Sequence, residues 1–258
     1  MSTYLFGQLS DPNINALMPY FDEFIDQNSE FHWDLQTDKL NVNGRSIDDI
    51  EAIFMRANVF EENTYHKQAN YFLMRNYVSY FDNIKIFNRY CHRETPYKLY
   101  NLKLAMDIGL SIPYTEATKH GQQEGNTILK PITGGMHTEV GKVAAFTTTV
   151  QQQIKGKNKR LYIIGDKQFC FEVVTDRIDY RDDIQSYVTV SNIPEDAALK
   201  VKELMKKLNL NFSAADFMVD ENDKHWFLEV NTLPMFVAFD AEVNGDLSKT
   251  LHDELMKL

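Results

Sequence analysis

Asp216, Glu229 and Asn231 are the residues of this 258-residue chain whose types and spacing most directly suggest chemistry. They lie in AADFMVDENDKHWFLEVN, residues 214–231, where two alternating apolar runs flank the polar tetrad Asp220-Glu221-Asn222-Asp223. That is the pattern of a β-hairpin. Side chains on a strand alternate faces. Trp226, Leu228 and Val230 are therefore expected on one face, and Phe227, Glu229 and Asn231 on the other. With residues 220–223 as the loop, Val219 pairs with Lys224, and Asp216 falls opposite Phe227, on the face of Glu229 and Asn231. Asp216 and Glu229 become diagonal neighbours about 7–8 Å apart at the backbone. Two carboxylates and an amide oxygen converging from there form a hard-oxygen set of the kind Mg²⁺ takes, with water and phosphate filling its sphere. A solvated acidic face has the same composition, so the metal reading also requires groups elsewhere that hold a phosphate ligand.

Such groups occur in order along the chain. Thr95-Pro96 marks a helix start, and Lys98, Leu99, Leu102, Leu104, Ala105 and Met106 run on to Gly109, a left-handed C-cap. Lys130 ends a strand read over 126–130 and is followed by PITGGMHTEVG and a strand over 140–146. Gly134-Gly135 let backbone N–H groups approach phosphate oxygens, and the lysine adds a compact positive charge; His137 reads as a solvated loop histidine or a phosphate contact. A glutamine run, Gln151 to Gln153, precedes Ile154. Arg160 opens a strand to Asp166, with Phe169–Val174 as its partner, and Arg181 follows in Asp179-Tyr180-Arg181. Taken singly, each of these cations reads as an ordinary surface charge.

The elements that position them begin with a small α/β lobe. Tyr4–Phe6 reads as a strand, and Asp11-Pro12 as a cap followed by proline at the first helical position. Ile14, Leu17, Met18, Phe21, Phe24 and Ile25 recur at helical spacing, with Pro19 kinking or restarting the helix. Strands are expected over 31–35, 39–42, 50–55 and 84–87, and a helix over 61–81. Arg56, at a strand end, reads as a surface arginine or a substrate contact. Asn192-Ile193-Pro194 opens a helix to Leu208, and an amphipathic helix closes the chain over 245–258.

Composition narrows the classes. A net charge of −10 disfavours a general nucleic-acid binder. Cys91 and Cys170 supply neither a disulfide framework nor a zinc set. MSTYLFGQLSD lacks a basic n-region, and no stretch approaches a membrane span, so a reducing cytoplasm and no membrane partner are expected.

The order of these motifs resembles an ATP-grasp domain. Asp216 followed by Leu228-Glu229-Val230-Asn231 is similar to its magnesium-binding end. FLEVN followed by Pro-Met-Phe and FD is similar to the branch that contains the ribosomal-protein S6 modifying enzymes and the glutathione synthetases. KLYNLKLAMDIGLSIPYT is similar to its lysine-bearing helix and leans toward the ligases that modify ribosomal peptides. The Asn-Pro-x-Gly-Gln-Trp run carried by peptide-cyclising members is absent; Asn231-Thr232-Leu233-Pro234-Met235-Phe236 stands there.

The resemblance implies an α/β (α+β) ATP-grasp fold, with a small N-terminal lobe over 1–90, a central lobe over 91–150 and a C-terminal lobe over 151–258. It assigns Lys98, Lys130 and the Gly134-Gly135 loop to the nucleotide phosphates, and Gln151 and Ile154 to an adenine hinge acting through backbone atoms. It assigns Arg160 and Arg181 to the transferred phosphoryl group, and Asp216, Glu229 and Asn231 to one or two Mg²⁺ ions, for which Mn²⁺ can substitute. The implied activity is ATP-dependent joining of a carboxylate to an amine through an acyl phosphate, releasing ADP and phosphate. A phosphotransferase and a non-catalytic nucleotide-binding module are the alternatives. Small carboxylates and amines, a peptide or a protein tail all fit as substrates, and a homo-oligomer is compatible with the sequence.

Overall fold

In the computed structural model, which describes residues 1–57, 65–90, 97–119, 127–130, 132, 147–175 and 185–258, the chain divides into two compact units. One comprises Met1–His92, Ile164–Asp166 and Met235–Leu258; the other comprises Arg93–Ile163 and Lys167–Pro234.

The first unit is built on apolar runs. β1 (Ser2–Gly7) lies between β2 (Glu23–Asp26) and β6 (Ile50–Met55) in a parallel sheet. Near-continuous apolar strands suit a parallel sheet covered on both faces. Tyr4, Phe6, Ile53 and Met55 pack in one core cluster with Tyr71, Met74, Tyr77 and Val78 of α2 (Tyr65–Tyr80). β3 (Phe31–Asp34), β4 (Lys39–Val42) and β5 (Arg45–Ile47) form a separate antiparallel sheet that adds Leu40, Val42 and Ile47 to that cluster.

Three expectations change here. α1 (Pro12–Leu17) starts as read, with Asp11 as N-cap accepting from the Asn13 N–H, but it stops before Pro19 in a short 3₁₀ turn. Phe24 and Ile25 therefore belong to β2 rather than to a helix; past the proline, pairing with β1 satisfies their backbone groups. The strand expected over 84–87 reduces to one bridge, Ala52 to Lys85. Arg56 is neither a surface arginine nor an accessible contact: its Nε sits 2.6 Å from Asp11 Oδ2, and both side chains are fully buried.

The second unit opens with α3 (Lys98–Asp107), which ends at Gly109 with φ +91°, the left-handed cap read from sequence. A three-stranded antiparallel sheet follows, in the order β7 (Thr115–Thr118), β9 (Thr148–Gln152), β8 (Thr127–Lys130). The five-stranded sheet comprises β10 (Lys157–Ile164), β11 (Lys167–Val174), β12 (Tyr187–Val190), β13 (Phe212–Val219) and β14 (His225–Asn231), in the order β12-β11-β10-β13-β14. α4 (Glu195–Lys207) carries acids in its first turn and lysines in its last, complementing the helix dipole. It buries Ala197, Ala198, Val201, Leu204 and Met205.

The chain ends back in the first unit, with α5 (Val237–Ala241) and α6 (Asp246–Leu255). Asn13 Oδ1 accepts from the N–H groups of Phe236 and Val237, at 2.7 and 3.0 Å, tying the last segment to α1. Asp240 Oδ1 accepts from Leu247 and Ser248 and so caps α6. Among the described residues, no helix is long and apolar enough to cross a membrane.

Candidate functional site

The β13–β14 hairpin forms, but with a loop one residue longer than the tetrad and a bulge in its second strand. Val219 pairs with His225, not Lys224. Asp220 explains the longer loop: its Oδ1 accepts from the N–H groups of Asn222 and Lys224, and its Oδ2 from Trp226 Nε1. Those hydrogen bonds, the Trp226 one foremost, hold the Asp220 carboxyl below its ordinary pKa of 3.8.

Between the pairs Phe217–Phe227 and Asp216–Glu229 the register shifts by one, leaving Leu228 as the extra residue. A bulge of this kind breaks strict alternation. Phe227 therefore joins Val230 and Ala215 on the buried face, and Trp226 pairs with Met218 on the Asp216 side, contrary to the parity expected from sequence. Asp216 lies directly opposite Glu229, not diagonal to it, which brings the acids closer than an unbroken ladder does. β14 is an edge strand, and the Phe227 N–H is taken at 2.8 Å by the Ser111 carbonyl, which follows α3.

The candidate side chains converge on this face. Asn231 Nδ2 donates to Asp216 Oδ2 at 3.0 Å and to Glu229 Oε1 at 3.4 Å. Arg160, from β10, grips Asp216 with two parallel bonds, Nε to Oδ1 at 2.6 Å and Nη2 to Oδ2 at 2.8 Å. Such forked pairs are strong and directional. Lys98, the first residue of α3, places its Nζ 3.0 Å from Glu229 Oε2, with side chains 22% and 27% exposed. Burial pushes the Glu229 carboxyl up, but the charges of Lys98 and Lys130, the Lys98 hydrogen bond and the Arg160 charge outweigh it, so the group stays below its ordinary 4.5. Lys130 ends β8, where its carbonyl accepts from Thr148 Oγ1 at 2.7 Å.

Five of the residues read from sequence therefore touch one another through a single network, and Lys130 acts on it through its field. Among the described residues, no group of three or more His, Cys, Asp or Glu is placed to hold a metal ion; the candidate ligands read from sequence are two carboxylates and one amide. That hard-oxygen set fits a divalent cation whose remaining positions go to phosphate oxygens and water.

The two residues expected at an adenine hinge separate. Gln151 lies in β9, paired on both sides with β7 and β8, and its buried side chain donates to Thr115 Oγ1 at 3.0 Å. Ile154 lies in the irregular link between β9 and β10, half-buried. Gly156, which the sequence reading passed over, closes that link: a Cβ there would stand 1.9 Å from the Val219 carbonyl oxygen. Its signal is a single glycine between two strands. Gly134, Gly135 and Arg181 lie outside the described residues, as do His137, Cys91, the strand read over 140–146 and the Thr95-Pro96 helix start.

Comparison with known proteins bears on the fold. No protein-family model matches the chain. A 146-residue match at 28% identity joins it to an SPX domain-containing membrane protein of Oryza sativa subsp. indica, over 54% of this chain and 20% of that protein. The chain thus spans about a fifth of the length of the curated relatives it matches.

Solved structures are similar over nearly the whole chain. The ATP-grasp ligase PsnB, complexed with a minimal precursor, superposes with a TM-score of 0.80 at 19% identity, over 99% of this chain and 98% of that one. A RiPP-associated ATP-grasp ligase of Chryseobacterium gregarium, in complex with ADP and a leader and core peptide, gives 0.79 at 18% identity, over 100% and 97%. The macrocyclase MdnC of Microcystis aeruginosa MRC, bound with precursor peptide MdnA, gives 0.77 at 15% identity, over 99% and 100%. The chain has the ATP-grasp fold, an α/β architecture.

Proposed function

We propose that this protein is an ATP- and Mg²⁺-dependent carboxylate–amine ligase that forms an amide bond on a peptide substrate. The observation that carries the reading is the convergence of Lys98, Arg160, Asp216, Glu229 and Asn231 on one face of β13–β14, in a chain with the ATP-grasp fold. Two carboxylates and an amide would suit a magnesium ion, which would supply positive charge to the phosphates, and the neighbouring cations would suit the phosphate oxygens themselves. A peptide is favoured as substrate because the similar PsnB, MdnC and Chryseobacterium gregarium structures are bound with precursor or leader and core peptides.

Asp216, Glu229 and Asn231 would hold the ion, which would offset negative charge on the polyphosphate. Lys98 and Lys130 would hold the nucleotide phosphates, a role the resemblance gives to Gly134 and Gly135 as well. Arg160 and Arg181 offset charge on the γ-phosphoryl group in flight. Ile154, in the β9–β10 link, offers backbone atoms to the adenine edge, and Gln151 supports that link from the adjoining strand. In this scheme residues 1–90 form the substrate lobe, 91–150 the central lobe and 151–258 the lobe carrying the metal ligands. The reaction runs in a reducing cytoplasm.

The substrate carboxylate attacks the γ-phosphorus, giving an acyl phosphate and ADP. An amine then attacks the acyl carbon, phosphate leaves, and a proton is released. No protein nucleophile takes part, so Cys91 and Cys170 have no role in the chemistry. Hydroxylamine in place of the amine is expected to trap a hydroxamate, and ¹⁸O placed in the carboxylate is expected in the released phosphate. AMP and pyrophosphate as products, or phosphate free of label, would overturn the assignment.

A further inference from the structure

Each carboxylate of the proposed metal site already faces a cation of this chain. Arg160 holds both oxygens of Asp216 with its fork, and Lys98 holds Glu229. Asn231 turns its Nδ2 toward both acids, so the amide presents its donor side where a metal ligand must present its oxygen. An entering divalent cation has to displace a bidentate guanidinium and an ammonium, and rotate the Asn231 amide. Charge-assisted pairs of this geometry resist displacement. Phosphate oxygens compete for the same two partners, because guanidinium and ammonium bind phosphate as readily as carboxylate.

We propose that Arg160–Asp216 and Lys98–Glu229 form an ion-pair latch that excludes divalent cations from the nucleotide-free protein, and that a nucleoside polyphosphate opens it by drawing both cations onto its phosphates. This rests on the metal and nucleotide reading above and adds an order to it: phosphate first, or together with the ion, and not the ion alone. Once Arg160 and Lys98 have moved, Asp216 and Glu229 are free to bind, and Asn231 flips its oxygen inward. By linkage, cation and nucleotide must then strengthen each other's binding by equal factors.

Mn²⁺ binding to the full-length, nucleotide-free protein, followed by paramagnetic resonance and calorimetry, tests the latch apart from turnover. Arg160→Lys keeps the charge but loses the fork, so it separates a latch from a general positive field. The latch predicts Mn²⁺ binding about tenfold tighter in Arg160→Lys than in wild type, and a similar gain in Lys98→Gln. Thermal melts establish folding, and Lys98→Gln, whose pair is partly exposed, carries the test if Arg160→Lys does not fold. Wild-type Mn²⁺ affinity in both folded variants, with ADP still strengthening the ion's binding, would overturn the latch and leave the metal and nucleotide reading standing. Absence of Mn²⁺ binding in every variant even with ADP present would overturn both.

Discussion

At Glu229, burial and charge pull in opposite directions, and charge wins. Desolvation raises the pKa of this carboxyl; Lys98, Lys130 and Arg160 bring it back below the ordinary value, so the group is ionised at neutral pH. Glu229→Gln is expected to abolish Mg²⁺-dependent ADP release while changing stability by roughly 1 kcal/mol or less, since the pair with Lys98 is partly solvated. Turnover assays beside urea melts check both halves; wild-type turnover would remove Glu229 from the proposed metal site. Lys130→Ala is expected to weaken ATP binding far more than adenosine binding, because a lysine serving phosphate leaves the base untouched. Equal losses by calorimetry would make it a structural residue. Cys170 supplies a contrast. Burial outweighs the help of Lys159 and pushes its thiol up from 9.0 to about 11. Because the unfolded thiol ionises first, this group's contribution to stability is whole below pH 9 and is lost as the pH climbs toward 11. Iodoacetamide at pH 8 should leave Cys170 unmodified in the native protein, as read by peptide mass spectrometry, and should not impair turnover by reacting there.

At the scale of elements, two small backbone features decide how the site is built. The bulge at Leu228 sets Asp216 opposite Glu229 and sends Phe227 into the core. Gly156 lets the β9–β10 link pass against the Val219 carbonyl, where a methyl group would collide with backbone on both sides of that peptide. Backbone cannot yield as a flexible side chain does. Gly156→Ala is therefore expected to cost roughly 2 kcal/mol or more in urea unfolding, and to lower nucleotide affinity by displacing Ile154. Unchanged stability would mean that the link moves freely.

At the scale of the molecule, the first unit is made from both ends of the chain. α6 buries Leu247, Leu251 and Leu255 completely, and the Met256 carbonyl accepts from Lys85 Nζ at 2.9 Å. The buried Asp11–Arg56 pair lies in the same unit, and removing one partner of such a pair costs about 3–5 kcal/mol. Deleting residues 246–258 is expected to expose the amides of β1 and β6 to rapid hydrogen exchange while β13 and β14 stay protected, since those strands belong to the other unit. Unaltered protection of β1 would show that the N-terminal segment folds without the tail.

Local chemistry in the sequence determined much of this protein. Asp11-Pro12 and Gly109 marked helix ends because capping and left-handed backbone depend on a few adjacent residues. Lys98, Arg160, Asp216, Glu229 and Asn231 were legible as a set from their residue types and from the resemblance of their order to a known domain. Tertiary structure decided what pairing between distant segments alone can decide. Alternation in FLEVN could not reveal a bulge that depends on how β13 and the Ser111 carbonyl meet β14. Nothing local to Phe24 and Ile25 told that β1 would draw them out of a helical pattern, or that β7 and β8 would enclose Gln151 as a central strand. Arg56 looked like a surface arginine because its partner, Asp11, is forty-five positions away. Lys98 and Arg160 read as phosphate ligands, and only the folded arrangement sets them on Glu229 and Asp216. Opposite charges brought together in a partly buried place pair with each other.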